Sequence, residues 1–262
     1  MAFTSEQFER YSRNIILEEV GVKGQSKLAE GRVLIVGAGG LGAPAAMYLA
    51  AAGVGTIGLV DMDEVELSNL QRQIIHSTGD IGKPKVLSGM ETIREMNPDV
   101  QVATYQERAN SKNIADIIRD RDYDFILDAT DNFPAKFLIN DACVMLGKPF
   151  SHAGILRFQG QLMTYLPGKG PCYRCVFREA PPLATRPSCN QAGVLGVICG
   201  VIGTLQATEA LKFILGLGSL LNGWLLTYSA LDMDFRKIKI SPDGGCPVCG
   251  EEPVITVLAD CD

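Results

Sequence analysis

A glycine-rich turn between two short apolar runs constrains this sequence more than any other feature. Residues 33–36 and 56–60 are apolar and rich in β-branched side chains, which is typical of buried parallel strands. An alanine-rich helix is expected between them, over about 44–52. Because glycine permits a tight turn and a helix N-terminus offers unpaired N–H groups to phosphate, the segment predicts a nucleotide-binding βαβ unit. The glycines at the G-x-G-x-x-G spacing are Gly37, Gly39 and Gly42.

Composition and charge limit the classes of partner. The chain has 262 residues, of which 47% are hydrophobic, enough for one large α/β domain with a sizeable core. A net charge of -6 argues against nucleic acid as the main partner. The N-terminus lacks the apolar stretch of a signal peptide, so a cytoplasmic protein is expected.

One apolar run, over 193–205, invites comparison with a membrane span. It is too short to cross a bilayer, and polar residues interrupt its continuation, so no membrane association is expected. The run predicts a buried helix instead. Its glycines would form a flat face for close packing, and they are Gly196, Gly200 and Gly203.

Predicted strands and helices alternate through the first half of the chain. Such alternation is typical of a Rossmann-like, doubly wound α/β sheet in which most strands are parallel. Two later runs, 224–228 and 235–240, alternate in a β manner and predict a hairpin that extends the sheet with antiparallel strands. Before these two runs, residues 171–175 are expected to form a tight turn.

These elements predict a single domain over 1–262. Residues 4–30 are amphipathic at helical spacing, so the chain should begin with a helical arm. The expected divisions are the arm (1–30), a nucleotide-binding half (31–152) and a second half with a C-terminal tail (153–262).

Charged residues follow the predicted strands. Asp61, Asp63 and Asp131 come at strand ends, and Arg72 and Lys85 lie on loops that leave the same edge of the sheet. Asp61 lies about twenty residues beyond the glycines, where a ribose-binding acid belongs, although any of these aspartates could be a helix N-cap. A bound triphosphate needs several cations and a carboxylate for magnesium. The charged set therefore favours ATP over NAD.

Histidine is scarce in this sequence. The two histidines, His76 and His152, are interpreted as structural. A carboxylate is already ionised at neutral pH and needs no general base before it attacks phosphorus. The composition therefore suits acyl-adenylate formation, in which catalysis is mainly positioning and charge neutralisation.

Two C-x-x-C pairs predict a metal site. Cys172 and Cys175 form the first pair, and Cys246 and Cys249 form the second. Four thiolates suit a closed tetrahedral zinc site with no open position for catalysis. A redox motif is the alternative for a single pair, but two pairs without a thioredoxin-like context favour structural zinc.

Cys189 stands apart from the pairs. It follows a proline-containing loop and precedes the predicted glycine-rich helix, where a helix N-terminus would lower the pKa of its thiol. An exposed thiol without a role is the alternative. No role is assigned to the remaining cysteines, which are Cys143, Cys199 and Cys261.

Together, these motifs resemble the bacterial ThiF/MoeB proteins, which are relatives of ubiquitin-activating enzymes. The resemblance rests on GAGGLG, DMDEVELSNLQRQ, GKPK, DATDN, the two C-x-x-C pairs and CNQAGVLG, which occur in the family's order. It covers essentially the whole chain. Family membership implies a homodimer with ATP and magnesium in each subunit, and zinc held by the paired cysteines.

The resemblance also implies individual roles. Gly40 and Asp61 would hold the adenosine side of ATP, and Asn69 would join Arg72 and Lys85 on the phosphates. Asp131, followed by Asn132 in the DATDN motif, would bind magnesium. Arg13 matches the family arginine that reaches the ATP of the partner subunit, whereas its spacing alone favours a solvated helix face.

The implied reaction is adenylation of the C-terminal glycine of a small ubiquitin-like sulfur carrier protein that ends in Gly-Gly. Pyrophosphate is released, and the acyl-adenylate is primed for thiocarboxylate formation with sulfur from a separate donor. Cys189 aligns with a family cysteine that forms a covalent link to the carrier in some members. A MoaD-type carrier would mean molybdopterin biosynthesis, and a ThiS-type carrier would mean thiamin biosynthesis. The segment PSCNQAGVLGV resembles the MoeB branch of the family more than the ThiF branch.

Two alternatives belong to other functional classes. An NAD-binding Rossmann oxidoreductase is supported by the glycine fingerprint alone. A non-catalytic scaffold that binds a ubiquitin-like protein would not need Arg72, Lys85 and Asp131.

Overall fold

The computed structural model describes residues 3–179 and 193–260. Their strands form one eight-stranded sheet in the order β3-β2-β1-β4-β5-β6-β7-β8. The pairings from β3 to β5 are parallel, and those from β5 to β8 are antiparallel. This confirms the predicted fold class. The strands are β1 (Arg32–Val36), β2 (Thr56–Val60), β3 (Gln101–Tyr105), β4 (Phe125–Asp128), β5 (Phe150–Leu156), β6 (Gln159–Tyr165), β7 (Trp224–Ser229) and β8 (Asp234–Lys239).

Helices cover both faces of the parallel part of the sheet. They are α1 (Ser5–Arg10), α2 (Ser12–Ile15), α3 (Gly21–Glu30), α4 (Gly42–Ala51), α5 (Lys85–Met96), α6 (Ile114–Asp120), α7 (Phe133–Met145), α8 (Tyr173–Val176) and α9 (Gly196–Leu215). Successive residues of β1 point into opposite layers, as the pleat of a strand requires. Val33 and Ile35 pack with α4, α5 and α9, whereas Leu34 and Val36 pack with α6 and α7. Both faces of β1 are therefore buried, which explains its continuous apolar sequence.

Three segments differ from the prediction. The N-terminal arm consists of α1, α2 and α3, because residues 16–20 form turns and Gly21 begins α3 with a φ of +55°. The predicted turn over 171–175 leads into the one-turn helix α8, which begins at Tyr173 and ends at Val176, and the backbone N–H of Tyr173 donates to the Asn140 side chain. The sequence also predicts a short strand over 149–151, and in the structure this strand continues to Leu156 because β6 pairs with it along its whole length.

Helix α9 is longer than the apolar run that predicted it. It continues through Gln206 and Glu209, which are both buried and hydrogen-bonded to other elements. In the described part of the chain, α9 is one helix whose length and apolar composition would allow a membrane crossing. In its most apolar window, 44% of the residues are buried inside the fold, and core helices of soluble proteins meet the same criterion.

Close packing of α9 fixes the start of α4. A Cβ atom at Gly203 would collide with the carbonyl oxygen of Leu41, and one at Gly196 would collide with that of Gln71. Gly200 has no neighbour within 4 Å of such an atom, so the expectation that it shares the packing face is wrong.

These glycines provide a matched test of packing. We expect Gly203→Ala to destabilise the protein by about 2 kcal/mol, because the backbone of Leu41 cannot yield without moving α4. Gly200→Ala should instead raise stability by about 0.5–1 kcal/mol, because alanine is the better helix former and meets open space. Urea unfolding of both variants measures the difference, and equal midpoints would contradict the close packing.

Candidate active site

A large cavity opens at the carboxyl ends of β1, β2 and β4. Its volume is about 1240 Å³, and it spans the point where the strand order reverses between β1 and β4. Ligands bind at this position in open α/β sheets. Residues from separate predicted motifs line it together, namely Gly37, Gly39, Gly40, Asp61, Asp63, Arg72, Lys85, Asp131 and Asn132.

Asp61 faces the glycine turn. One carboxylate oxygen accepts the backbone N–H of Ala38 at 2.8 Å, and the other accepts that of Asp63 at 2.9 Å. Burial raises the pKa of Asp61, and the Lys85 charge and these two hydrogen bonds oppose the rise. The Asp61 carboxylate is therefore hydrogen-bonded to the glycine turn, and it also borders the cavity.

Two cations border the same cavity. Lys85 begins α5 and is buried, and its Nζ lies 2.9 Å from a carboxylate oxygen of the exposed Asp63. Arg72 follows the short 3₁₀ turn Leu67–Asn69 and donates one hydrogen bond to the carbonyl of Ser68 at 3.0 Å. Each cation therefore retains donors that could bind an anion.

The turn after β4 carries Asp131 and Asn132. Asn132 is the N-cap of α7, since its side chain accepts the backbone N–H of Ala135 at 3.0 Å. Asp131 is exposed, and within residues 3–179 and 193–260 it has no hydrogen-bond or ion-pair partner. The alternative interpretation of Asp131 as a helix N-cap is therefore wrong. Its carboxylate is a suitable ligand for a hard cation such as magnesium.

The remaining candidates lie elsewhere. Gly42 packs against the carbonyl of Gly37, where a Cβ atom would collide with it. Asn69 is buried outside the cavity lining, and its side chain accepts the backbone N–H of Glu66. Arg13 lies exposed on α2, outside the cavity lining. Cys189 lies outside the described residues.

Both histidines are buried and lie outside the cavity lining. His76 bonds the hydroxyl of Ser88 through Nδ1 at 2.8 Å, and His152 donates from Nδ1 to Asp128 at 2.7 Å. Burial lowers the pKa of His152 to about 4, so its ring is neutral at pH 7. No histidine belongs to the described cavity lining. A reaction that needs no histidine base fits this lining.

The four paired cysteines converge although the pairs are far apart in sequence. Their sulfur atoms lie within 4.8 Å of one another. The Cys172–Cys246 and Cys175–Cys249 distances between sulfurs are 3.6 and 3.4 Å, and the Cys172–Cys175 distance is 3.9 Å. Tetrahedral zinc with bonds of about 2.3 Å places its sulfur ligands about 3.8 Å apart. The four sulfur donors and their spacing fit tetrahedral zinc. The cysteines would fill all four coordination positions and leave none open.

Comparison with known proteins agrees with this geometry. The model of the ThiF family matches residues 11–248. The chain belongs to the ThiF family. Two relatives match it over nearly their whole length. The sulfur carrier protein adenylyltransferase of Thermus thermophilus is 48% identical, covering 99% of this chain and 97% of the relative. The SAMP-activating enzyme E1 of Haloferax volcanii is 47% identical, covering 98% and 94%.

A solved structure shares the fold of this ThiF-family chain. The crystal structure of Escherichia coli MccB with ATP has a TM-score of 0.76 and is 26% identical. The match covers 92% of this chain and 74% of MccB.

The lining of this cavity also includes two residues for which the sequence predicts no role, Gln73 and Lys136. Gln73 is buried, and its Oε1 has no partner among the described residues. A ligand that donates a hydrogen bond, as a ribose hydroxyl does, would satisfy this atom. Gln73 lies in the SNLQRQ block, so its position beside Arg72 was a usable signal. Nothing in the sequence indicates which groups accept hydrogen bonds from the Lys136 ammonium.

The cysteine cluster makes a metal prediction. We expect about one zinc per chain in freshly purified protein, and its loss when Cys246 and Cys249 are both changed to serine, because the ligand set would be halved. Mass spectrometry of acid-digested protein measures the metal. Cys143→Ser, a change of a buried cysteine outside the cluster, is the control and should retain it. Metal-free wild-type protein would contradict the assignment.

Proposed function

We propose that the protein is an ATP-dependent adenylyltransferase that activates a small ubiquitin-like sulfur carrier protein. The C-terminal glycine carboxylate of the carrier would attack the α-phosphorus of ATP. A new P–O bond forms, the bond to the bridging oxygen breaks, and pyrophosphate leaves. The observation that carries the proposal is the meeting of the glycine turn, two cations and the Asp131 carboxylate in one cavity.

Each group has a task in this reaction. Gly40 and Asp61 would hold the adenosine side, while Arg72 and Lys85 would neutralise the phosphate charge that grows in the transition state. Asn69 supports this arrangement, because its carbonyl accepts the backbone N–H of Arg72 at 3.0 Å. Asp131 would hold magnesium, which supplies further neutralisation of phosphate charge.

The carrier would bind to the half formed by 153–262. The cavity continues beyond the nucleotide turn along β5, β6, β7 and β8, where Gly154, Gln161, Ser229 and Arg236 line it. This extension would admit a narrow Gly-Gly tail and bring its carboxylate towards the phosphates. The carrier would be of the MoaD or ThiS type, which serve molybdopterin and thiamin biosynthesis respectively.

Sulfur transfer would follow adenylation. A separate protein would supply sulfur at the oxidation level of sulfide, which would attack the acyl carbon; the bond to AMP breaks, AMP leaves, and the carrier is released as a thiocarboxylate. Cys189 is the proposed site of a covalent link to the carrier at this stage.

The proposed assembly is a homodimer. Exposed apolar side chains occur on the N-terminal arm and on the outer faces of α4 and α9, and they are Ile16, Leu17, Tyr48 and Val197. Burial of such side chains against a second copy would be favourable. Arg13 lies on the same arm and has no ion-pair partner within the described ranges, so it is available to a neighbouring subunit.

ATP–pyrophosphate exchange tests the chemistry. We expect exchange that depends on a carrier ending in Gly-Gly, and about a 100-fold or greater loss in Arg72→Ala and in Asp131→Ala, because each removes charge stabilisation at the phosphates. Arg94→Ala is the control, since Arg94 is exposed on α5 outside the cavity lining. Normal exchange by the Asp131 variant would refute the mechanism.

The same assay addresses the pathway. Exchange with a MoaD-type carrier alone would support molybdopterin biosynthesis, and exchange with a ThiS-type carrier alone would support thiamin biosynthesis. Exchange with neither would contradict the proposed carrier classes.

Mixed dimers test the role of Arg13. We expect Arg13→Ala and Asp131→Ala to be inactive separately and to recover about a quarter of wild-type exchange when their subunits are mixed and allowed to reassemble. In each mixed dimer, one site would combine an intact Asp131 with an intact Arg13 from the other subunit. Recovery of no activity despite verified subunit exchange would exclude a role of Arg13 in trans.

A further inference from the structure

A buried ion pair lies beneath the Asp131 turn. Asp128 ends β4 and is fully buried, and Lys136 lies one turn into α7 with its side chain also buried. The Nζ atom of Lys136 is 3.4 Å from a carboxylate oxygen of Asp128. The sequence interval between them contains Asp131, so the pair brackets the proposed magnesium ligand.

Both charges hold the peptide groups of Thr130. One oxygen of Asp128 accepts the backbone N–H of Thr130 at 3.1 Å and its hydroxyl at 2.6 Å. The ammonium of Lys136 donates to the carbonyl of Thr130 at 2.7 Å and to the carbonyl of Ala153 in β5 at 2.6 Å. The residue before Asp131 is thus fixed at its N–H, its hydroxyl and its carbonyl.

Lys136 has no donor left for a ligand. An ammonium group has three N–H donors, and acceptors at Asp128, Thr130 and Ala153 use all of them. Direct phosphate binding would require breaking one of these buried bonds. The side chain therefore acts on the cavity through the turn that it holds.

Burial of the two charges costs desolvation free energy, so the ion pair is a poor source of stability. Burial alone would raise the pKa of Asp128, but the Lys136 charge and the hydrogen bonds from His152 and Thr130 hold it at about 2. Apolar residues of similar volume often replace such pairs without loss of stability. Asp131 itself has no partner in the described ranges, so its position depends on Thr130 before it and the Asn132 cap after it.

We propose that Asp128 and Lys136 are positioning residues that hold the Thr130 peptide so that the Asp131 carboxylate is placed for a metal-bound triphosphate. This inference rests on the proposed function, in which Asp131 binds magnesium.

Binding of ATP to the carrier-free protein tests the inference. The quantity measured is the ratio of ATP dissociation constants without and with magnesium, obtained by equilibrium dialysis. Thr130→Val keeps the shape of the side chain but removes its hydroxyl donor, and Thr130→Ser retains the donor. We expect the ratio to fall about 10-fold in Thr130→Val and in Lys136→Met, and to stay within about twofold in Thr130→Ser.

Lys148→Met is the matched control for Lys136→Met. Lys148 also donates to a carboxylate and a backbone carbonyl, those of Asp122 and Tyr123, but it lies outside the cavity lining. Its ratio should match the wild type. Thermal unfolding is measured in parallel, because a merely structural role would lower the melting temperature without changing the magnesium ratio.

Each outcome decides. Equal ratios in wild type, Thr130→Val and Thr130→Ser would overturn the inference, even if Lys136→Met fails to fold. A wild-type affinity that does not respond to magnesium would overturn it as well. Failure of carrier-dependent exchange with normal magnesium-dependent ATP binding would instead count against the proposed function, and the positioning result would stand.

Discussion

The close approach of Gly37 to the Ala129 peptide is the constraint on which the cavity depends. Gly37 has a φ of +103°, and a Cβ atom there would lie 2.7 Å from the carbonyl oxygen of Ala129. The turns that follow β1 and β4 are therefore in contact, because these strands are neighbours in the sheet. A side chain at this position would separate the nucleotide turn from the turn that carries Asp131. The glycine turn and the Asp131 turn can approach this closely because this position lacks a Cβ atom, and both turns line the cavity.

Two lysines at the cavity pair with carboxylates that differ in their exposure to water. Lys85 pairs with Asp63, whose side chain is 59% exposed. If Lys85 binds a phosphate instead, water can solvate the Asp63 carboxylate in its place. Lys136 pairs with the fully buried Asp128, which could not be left without a partner at similar cost. The same residue type therefore provides an exchangeable charge in one place and a fixed support in the other. Exposure of the paired carboxylate separates the two uses.

The sequence could predict features that depend on local pattern. Strand β2 was bounded correctly because its apolar run is short and ends at Asp61, and the glycine spacing located the cavity. Helix α9 was predicted too short, because Gln206 and Glu209 look like an end of burial in the sequence. In the structure Gln206 donates to the carbonyl of Asp128 at 2.9 Å, and Glu209 accepts the hydroxyl of Thr164 at 2.7 Å. Such partners come from distant segments, as those of Lys136 do, and a single sequence does not reveal them.

The cysteine cluster has a topological consequence. Cys172 and Cys246 are separated by 74 positions, and the chain between them contains α9 and the whole β7–β8 hairpin. With a metal bound, this stretch becomes a closed loop, which restricts the unfolded chain much as a long-range disulfide does. A protease that cut the chain once within the loop would leave two fragments, and the bound metal would keep them joined. Addition of a chelator would remove this metal link and leave the non-covalent packing of the sheet and helices to hold them together.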